Sequence, residues 1–292
     1  MKNHHLVLIS SILVISLSGC AKGNVSKPHF KRFGSLVTSQ YFESKLKIKL
    51  NEFEKMFSTT YANTISSRQN ELINFRYEVS SNYKSNVPAS YVIRGLSEGK
   101  VHLDYMNNRF EIKNEAKTYI KNNLKNSEYL ESIGLKEGTE KTKNHYYGES
   151  NGNETVLVDL EFGKIEQYET IYQNDAYYGL SGEISHLLYL DFYSGSNQNA
   201  STYMNGENTF TYIVKSASTS NHENFLSEST YQVIFNKNIK ILYKGTATEE
   251  SSSYRLNAEE SAEITIRPTN KKVRKVDYSN YRTLEVNNQK EA

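Results

Sequence analysis

The chain has one cysteine, no tryptophan and three prolines in 292 residues. A single cysteine excludes an internal disulfide, a four-cysteine zinc site and a CxxC redox centre. An excess of charge of one sign is also lacking, because 35 Lys and Arg stand against 33 Asp and Glu. A net charge of +2 argues against a protein that neutralises phosphates, so we expect no nucleic-acid partner.

Apolar residues are scarce, but not scarce enough for a disordered chain. Leu, Ile, Val and Phe make up about 24% of the residues, above the ~20% below which disorder is the better prediction. Tyrosine is in excess, with 23 copies. Its flat apolar ring and polar tip allow it to complete a lean core, to line a pocket for amphiphiles or sugars, or to form a protein-binding face.

Residues 1–20 have the pattern of a secretory signal. Lys2 opens the segment, and an apolar run from Leu6 to Leu17, broken only by serine, follows it. The run is too short to span a bilayer, which needs about 20 apolar residues. A charged start, a short apolar run and small residues at its end are typical of a signal peptide.

The last four residues of this segment, Leu17, Ser18, Gly19 and Cys20, resemble the lipobox of bacterial lipoproteins. In that family a diacylglyceryl group is attached to the cysteine sulfur, and a peptidase cuts just before the cysteine. The resemblance implies a signal peptide over residues 1–19 and a mature protein anchored to the cell membrane through lipid on Cys20, facing the extracytoplasmic side. An uncleaved anchor helix, or a cytosolic protein with a chance cysteine, is the alternative.

Residues 20–35 are expected to be the lipidated cysteine and a flexible tether, because they contain Gly, Pro, Ser and Asn and no hydrophobic period. From residue 21 to residue 55, eight basic residues stand against three acidic ones. Basic residues near an anionic leaflet strengthen membrane attachment. This stretch therefore either lies against the membrane or is a solvated basic segment.

The hydrophobic spacing predicts an α+β domain over residues 36–268. Residues 36–85 are predicted to be helical, with Ser39 as N-cap and an N-terminal amphipathic helix, because apolar residues recur three or four positions apart: Phe42, Leu46, Leu50, Phe53, Phe57 and Tyr61. Residues 89–268 mostly alternate with period two, which predicts a mainly antiparallel, curved sheet with one interposed helix over 115–133. Residues 269–292 have no period and are expected to be a mobile tail.

The sequence contains no HExxH, GxSxG, Walker A or GxGxxG motif. The histidines of the mature chain are isolated: His29, His102, His145, His186 and His222. His102 and His186 fall on strand patterns, where a half-buried histidine with a hydrogen-bond partner is expected. Carboxylates from which a glycosidase pair could be drawn are Asp159, Glu161, Asp175 and Asp191, but such pairs are common on solvated strand faces. We expect no enzyme activity, no catalytic residue, no metal site and no cofactor.

In the order of its elements, the chain is similar to LolA-like carrier lipoproteins, in which a curved sheet wraps helices and holds an acyl chain. No motif residue supports the resemblance, so it is transferred to no position. It implies a non-enzymatic surface lipoprotein that binds a lipid or another hydrophobic or amphiphilic ligand between sheet and helix. The alternative is an interaction protein in adhesion, conjugation or envelope assembly, which binds an envelope protein through an exposed tyrosine-rich face.

Overall fold

A computed structural model describes residues 28–61, 64–68, 70–85, 90–104, 106–122, 137–150, 154–169, 199–219 and 223–283. In this part of the chain, thirteen strands form one sheet, two strands form a hairpin, and one helix precedes that hairpin. The elements are β1 Ser35–Val37, α1 Ser39–Phe57, β2 Ser58–Tyr61, β3 Thr64–Arg68, β4 Asn70–Ser85, β5 Ser90–Asp104, β6 Arg109–Asn122, β7 Gly138–Ser150, β8 Glu154–Asp159, β9 Lys164–Glu169, β10 Asn199–Asn205, β11 Thr209–Thr219, β12 Glu223–Phe235, β13 Ile239–Ser251, β14 Tyr254–Thr269 and β15 Arg282–Thr283.

The chain first adds β1 beside β10 at one edge of the large sheet and, after α1 and the hairpin, enters the sheet again in its middle. Strand β4 pairs with β5 on one side, and β5 to β9 follow outward in chain order. Strands β10 to β14 fill the other side, and β14 returns to pair with β4 along its full length, from Asn70 opposite Thr269 to Ser85 opposite Tyr254. All of these pairs are antiparallel, while β15 pairs with β9 in parallel. Among the described residues the sheet ends at β1 and β15 and does not close.

The register divides the sheet into two faces, because paired residues point to the same side and successive residues to opposite sides. Face A carries one row that crosses five strands: Tyr212, Tyr231, Tyr243, Ala262 and Tyr77. Face B carries the next row: Leu242, Glu263, Arg76, Glu98 and Glu115.

The apolar core lies at one end of the strands, which we call the core end. There face A carries a row of buried branched residues, Ile239, Ile266, Ile73 and Val101. Helix α1 adds Phe42, whose ring meets those of Phe210 and Tyr212 edge-on, at centroid distances of 5.6 and 6.4 Å. Burying an apolar side chain of this size stabilises the fold by about 1.5–3 kcal/mol. The opposite end of the strands, near residues 83, 91, 225 and 254, is called the free end.

Two irregular segments cross face B at the core end. The N-terminal segment, residues 28–34, lies on β12, because Lys31 N donates to Gln232 Oε1 at 2.7 Å and Gln232 Nε2 donates to Lys31 O at 2.9 Å. The C-terminal segment, residues 270–283, covers Tyr147 and Val158 and buries its own Val273. Both faces of the core end are therefore covered.

The predicted helical region 36–85 is wrong beyond residue 57. Strand β4 occupies residues 70–85, where Ile73, Phe75 and Tyr77 face one side and Asn74 and Arg76 the other. The apolar spacing in this part is two, and pairing with β14 fixes it as a strand. Of the apolar residues in the predicted amphipathic stripe, Phe42 and Leu46 lie on α1 and are buried. The cap is Thr38 rather than Ser39, because Thr38 Oγ1 accepts a hydrogen bond from Tyr41 N at 3.3 Å.

The interposed helix predicted over 115–133 is also wrong as far as residue 122, and its remainder lies outside the described residues. Residues 109–122 form β6, in which Ala116 and Ile120 are buried on face A. Their spacing of four fits a helix and a strand equally well. The neighbouring lysines also recur every four residues, so the pairing of β6 with β5 and β7 decides the assignment, and it places Lys113, Lys117 and Lys121 on face B.

The ends of the domain also differ from the prediction. The flexible tether was assigned to residues 20–35, but residues 28–34 are hydrogen-bonded to the sheet, with Asn205 Nδ2 donating to Arg32 O at 2.9 Å. The mobile tail was assigned to 269–292, but residues 269–283 pack on face B, where Val273 N donates to the buried Asp104 Oδ2 at 2.9 Å. The signal peptide, Cys20 and residues 284–292 lie outside the described residues.

Candidate functional site

Charged residues are sorted between the two faces of the sheet. In strands β4–β7 and β10–β14, every Lys, Arg and His side chain points to face B. These residues are Arg76, Lys84, Arg94, Lys100, His102, Arg109, Lys113, Lys117, Lys121, Lys141, Lys143, His145, Lys215, Lys240, Lys244, Arg255 and Arg267. In the same strands the charged residues of face A are the carboxylates Glu71, Glu140, Glu223, Glu249 and Glu260. Face A of these strands thus has acidic charge and no basic charge.

Basic residues reach the side of face A at its two margins. At one margin the register places Lys164 of β9 and Arg282 of β15 on this face. At the other margin lies helix α1. It runs beside β10 and carries Lys45, Lys47 and Lys49. Lys49 is already bonded to Glu52, at 2.8 Å. The part of face A from β12 to β7 is therefore the cation-free surface of the described chain.

A row of tyrosines runs across face A above the core. The rings of Tyr212 and Tyr231 stack at 4.5 Å, and those of Tyr231 and Tyr243 lie 4.6 Å apart. Tyr243 leans over Gly245, where a Cβ atom would come within 2.3 Å of the tyrosine hydroxyl. Glycine at this position is therefore needed for the ring to lie along its own strand.

Glu260 of β14 links the tyrosine row to Tyr77 of β4, in the middle of the sheet. It accepts hydrogen bonds from the Tyr77 hydroxyl at 2.8 Å and from the Tyr243 hydroxyl at 3.1 Å. Burial, together with the charge of Glu260, raises the pKa of Tyr77 well above its ordinary value. Tyr77 therefore stays protonated and acts as a donor, and the carboxylate is held by donors that carry no positive charge.

A second group of tyrosines lies at the free end of face A. The ring of Tyr83 stacks on Tyr91 at 4.9 Å and on Tyr254 at 5.6 Å. The Tyr254 hydroxyl donates to Glu249 and to Glu223, the latter at 3.4 Å. These bonds raise the pKa of Tyr254 above its ordinary value. We call Tyr83, Tyr91 and Tyr254 the free-end tyrosine cluster.

Between the tyrosines, face A has a floor of small residues on β5 and β6. Gly95 and Ser97 lie opposite Thr118 and Ala116. Ser97 and Thr118 are buried, yet their hydroxyls have no hydrogen-bond partner among the described residues. A buried hydroxyl without a partner costs about 1–3 kcal/mol, so this floor offers hydrogen bonds that a bound polar group would satisfy.

Face B has the opposite character, because its charges neutralise one another. Arg76 bonds to Glu98 at 2.8 Å, Lys143 to Glu115 at 2.7 Å, and His145 to Glu111 at 2.8 Å. The bond from Lys143 lowers the pKa of Glu115. These pairs line a shallow basin of about 570 Å³, but a ligand entering the basin would have to compete with ion pairs that are already formed.

The residues singled out from the sequence are placed as follows. Leu17, Ser18, Gly19, Cys20, His186, His222, Asp175 and Asp191 lie outside the described residues. His102 contacts Lys271 O at 3.1 Å, which confirms a histidine with a partner. Asp159 and Glu161 do not form a pair on one strand face, because β8 ends at Asp159, whose Oδ1 accepts from Glu161 N and Phe162 N to close a turn. Among the described residues, no three His, Cys, Asp or Glu side chains are grouped as metal ligands would be.

The predicted cavity between sheet and helix is filled where α1 is described, because Phe42 packs directly on Phe210 and Tyr212. The sequence reasoning missed the sorting of charge between the faces. The signal was present in the odd-numbered lysines Lys113, Lys117 and Lys121, but residues four positions apart also lie on one side of a helix, so their spacing did not identify a strand.

Comparisons with known proteins find little. No protein-family model and no curated protein matches the chain. Among solved structures, lipovitellin is similar at 8% identity and a TM-score of 0.24, over 73% of this chain and 27% of that one. An S-type phycobiliprotein lyase from Guillardia theta is similar at 6% identity and 0.17, over 77% and 98%. The translocator domain of the autotransporter NalP from Neisseria meningitidis is similar at 6% and 0.15, over 77% and 96%. TM-scores this low do not establish a shared fold.

One negative observation bears on the membrane. In the part of the chain that the structure describes, no helix combines the length and the apolar character needed to cross a bilayer.

Proposed function

We propose that this protein is a non-enzymatic lipoprotein, anchored through Cys20 on the extracytoplasmic side of the cell membrane, that binds an uncharged or cationic amphiphile on face A. The observation that carries the ligand proposal is the sorting of charge, which leaves β4–β7 and β12–β14 without a cation on this face. The observation that carries the anchor is the sequence of Leu17, Ser18, Gly19 and Cys20.

The chemistry of face A suits an amphiphile. The half-buried tyrosine rings of face A offer apolar surface to an acyl chain. Tyrosine hydroxyls, Glu260 and the hydroxyls of Ser97 and Thr118 favour a polar group. A fatty acid or a phospholipid phosphate would meet the carboxylate of Glu260, which is held by the uncharged hydroxyls of Tyr77 and Tyr243. Like charges at close range repel each other. A neutral headgroup, or an ammonium group, meets no such repulsion.

The ligand proposal is tested on the chain from residue 20 with Cys20→Ser, so that no attached lipid interferes. Because the chain has no tryptophan, its fluorescence comes from tyrosine, and the stacked rings of face A contribute to it. We expect a monoacylglycerol and an alkylammonium amphiphile to change this emission at concentrations where a fatty acid of equal length does not. Equal binding of the fatty acid would contradict the proposal.

A pair of variants on one strand locates the site. Glu260→Gln removes a carboxylate from face A, and Glu263→Gln removes one from face B, where it pairs with Lys240 at 2.7 Å. We expect Glu260→Gln to weaken the alkylammonium amphiphile about fivefold or more, as for loss of a charge-assisted contact, and Glu263→Gln to leave it unchanged. The same loss in both variants would show that binding does not occur on face A.

The anchor is tested separately in cells. Cys20→Ser is expected to release the protein from membranes or to leave an unprocessed precursor. A variant that fractionates and migrates like the wild type would remove the lipoprotein proposal without touching the ligand proposal.

A second candidate function is binding of an envelope protein, and the free-end tyrosine cluster favours it. Tyr83, Tyr91 and Tyr254 are half-buried and stacked, and tyrosine is enriched in protein interfaces. A photo-crosslinking residue at position 91 should join a partner on the cell surface, and one at Tyr119 on face B should not. Crosslinks from both positions, or from neither, would count against this function.

A further inference from the structure

We infer that the core end of face B is a docking surface for an anionic lipid bilayer. Seven basic residues form this surface, which we call the basic band: Lys31, Arg32, Lys100, Arg267, Lys271, Lys272 and Arg274. All seven are exposed. The inference rests on the proposed lipid anchor and adds to it the orientation of the folded domain on the membrane.

The band is assembled from three separate parts of the chain. Lys31 and Arg32 belong to the N-terminal segment, which is held to β12 by the paired hydrogen bonds between Lys31 and Gln232. Lys271 is placed by its carbonyl, which accepts from Asn70 Nδ2 at 2.7 Å and contacts His102 Nε2 at 3.1 Å. Arg267 ends β14 between these two segments.

The charges of the band are not neutralised within the protein. Some other cations of face B have carboxylate partners, as in the pairs of Arg76 with Glu98 and of Lys240 with Glu263. Lys84 and Lys121 at the free end form no salt bridge with a described residue, but they lie apart from the band. None of the seven members of the band forms a salt bridge with a described residue. Their charge is therefore available to an external anionic surface, on which basic residues act within a Debye length of ~8 Å.

The position of the proposed anchor indicates that the surface contacted by the basic band is the bilayer. Cys20 precedes Pro28, the first described residue, by eight positions. Eight residues span at most about 29 Å, so lipid on Cys20 keeps Pro28 near the membrane surface. Pro28 is three residues before Lys31, and the chain thus leaves the domain beside the band rather than at face A or the free end.

The orientation follows from these two facts. When the band rests on the bilayer, face B is turned toward the lipid headgroups, and the face A of the proposed ligand site is turned away from them. The tyrosines of face A then remain accessible from the aqueous side.

The test uses the chain from residue 20 with Cys20→Ser and needs no lipidation. Co-sedimentation is measured with vesicles of phosphatidylglycerol and phosphatidylcholine, and with vesicles of phosphatidylcholine alone. We expect a clear preference for the anionic vesicles, which is lost as salt is raised. Equal binding to both kinds of vesicle, or no binding to either, would overturn the inference.

Two triple variants with the same change in net charge locate the effect. Lys271→Gln with Lys272→Gln and Arg274→Gln neutralises part of the band. Lys47→Gln with Lys84→Gln and Lys121→Gln neutralises three exposed lysines on the helix and at the free end. We expect the first variant to bind anionic vesicles at least about tenfold more weakly and the second to bind like the parent. Equal losses would assign the attraction to total charge and overturn the band.

The vesicle-binding test and the Cys20→Ser test of the lipid anchor can fail independently. Vesicle binding that fails while Cys20→Ser still releases the protein from cells would leave a lipoprotein without a preferred orientation. Far-UV circular dichroism of both triple variants confirms that the sheet is intact, since all six side chains are exposed.

Discussion

The two ends of the sheet are built from the same strands but are stabilised in different ways. At the core end, helix α1 covers face A and two irregular segments cover face B, so that residues such as Phe210 and Leu242 have almost no exposure. At the free end of β11–β13 both faces are more open, and Leu226 is 57% exposed. There the ladder of backbone hydrogen bonds continues, from Thr219 opposite Asn224 to Glu223 opposite Ser251, with little burial beside it.

The difference shows that a strand can extend beyond its core when its neighbours extend equally far. The exposed part consists of Ser, Thr, Asn, Lys and Glu side chains with a few aromatic pairs, which stabilise a sheet by about 0.2–1 kcal/mol per cross-strand pair. The core end therefore determines whether the protein folds. The free end offers surface with little effect on stability, which is where binding residues are best tolerated.

The largest contrast is expected from truncating one aromatic ring at each end. Phe210→Ala removes a buried ring that contacts Phe42 and Phe235, and should lower the free energy of unfolding by about 3–5 kcal/mol. Tyr83→Ala removes a stacked, half-buried ring at the free end and should cost about 1 kcal/mol. Urea denaturation followed by far-UV circular dichroism measures both. Equal losses would show that the two ends do not differ in this way.

The next effect concerns the C-terminal segment that covers the core end of face B. Asp104 is fully buried and accepts hydrogen bonds from Val273 N at 2.9 Å and Asn107 Nδ2 at 2.9 Å. Asp104→Ala leaves these donors without a partner and should cost about 1–3 kcal/mol. We expect faster tryptic cleavage after Lys271 and Lys272. Asp277→Ala, an exposed change in the same segment, serves as the control and should leave the rate as it is.

A smaller, pH-dependent effect should come from Glu149 in the same region. Burial raises the pKa of Glu149, but hydrogen bonds from Tyr147 and Arg109 outweigh it, so that the pKa lies below its ordinary value. The stabilisation is therefore present above the pKa of the unfolded chain and is lost as the pH falls through the folded pKa. Glu149→Gln should cost about 1–2 kcal/mol at neutral pH, and the difference from the wild type should shrink in acid. A constant difference from pH 7 to pH 3 would contradict this origin. Glu140→Gln, an exposed change on face A, is the matched control.

The smallest effect is expected from an exposed ion pair. Lys143 and Glu115 are bonded at 2.7 Å, but both side chains are more than half exposed. Solvent and salt screen such pairs, so their contribution to stability is small. Lys143→Ala should leave the urea midpoint unchanged within error, and a shift comparable to that of Glu149→Gln would show that the ion pairs of face B contribute as a network.

The sequence predicts β5 and the strands from β11 to β14 as strands, but it predicts β4 and the second half of β6 as helix. Around β12 and β13 the alternation of Tyr231, Val233 and Phe235 is interrupted by Asn236–Asn238, and the structure confirms two strands and a turn there. Ala116 and Ile120 in β6 are four residues apart, which does not distinguish helix from strand. Local pattern could not decide between them, because what fixes β6 as a strand is its pairing with β5 and β7.

The sequence points to tyrosine as a residue type with a binding or core role, but it does not show which tyrosines lie at the candidate site. The excess of tyrosine indicated a binding or core role, and the structure divides it between buried Tyr147 and Tyr212 and the half-buried rings of face A. Which tyrosines share a face with Glu260 depends on the register of β13, β14 and β4. Register across such distances follows from the sum of many pairings and not from the residues near any one tyrosine.

The seam between β14 and β4 has a consequence for how the molecule acquires its structure. Tyr77 and Glu260, which are bonded across the seam, are 183 residues apart in the chain. The pairs from β4 to β9 join neighbours in sequence and can form early, but β14 completes the sheet at its centre after almost all of the chain is available. Folding rates fall as the average sequence separation of contacts rises. Strand β14, which leaves the ribosome late, therefore joins the much earlier β4, and until β14 arrives β4 has an open edge that other chains could use for aggregation.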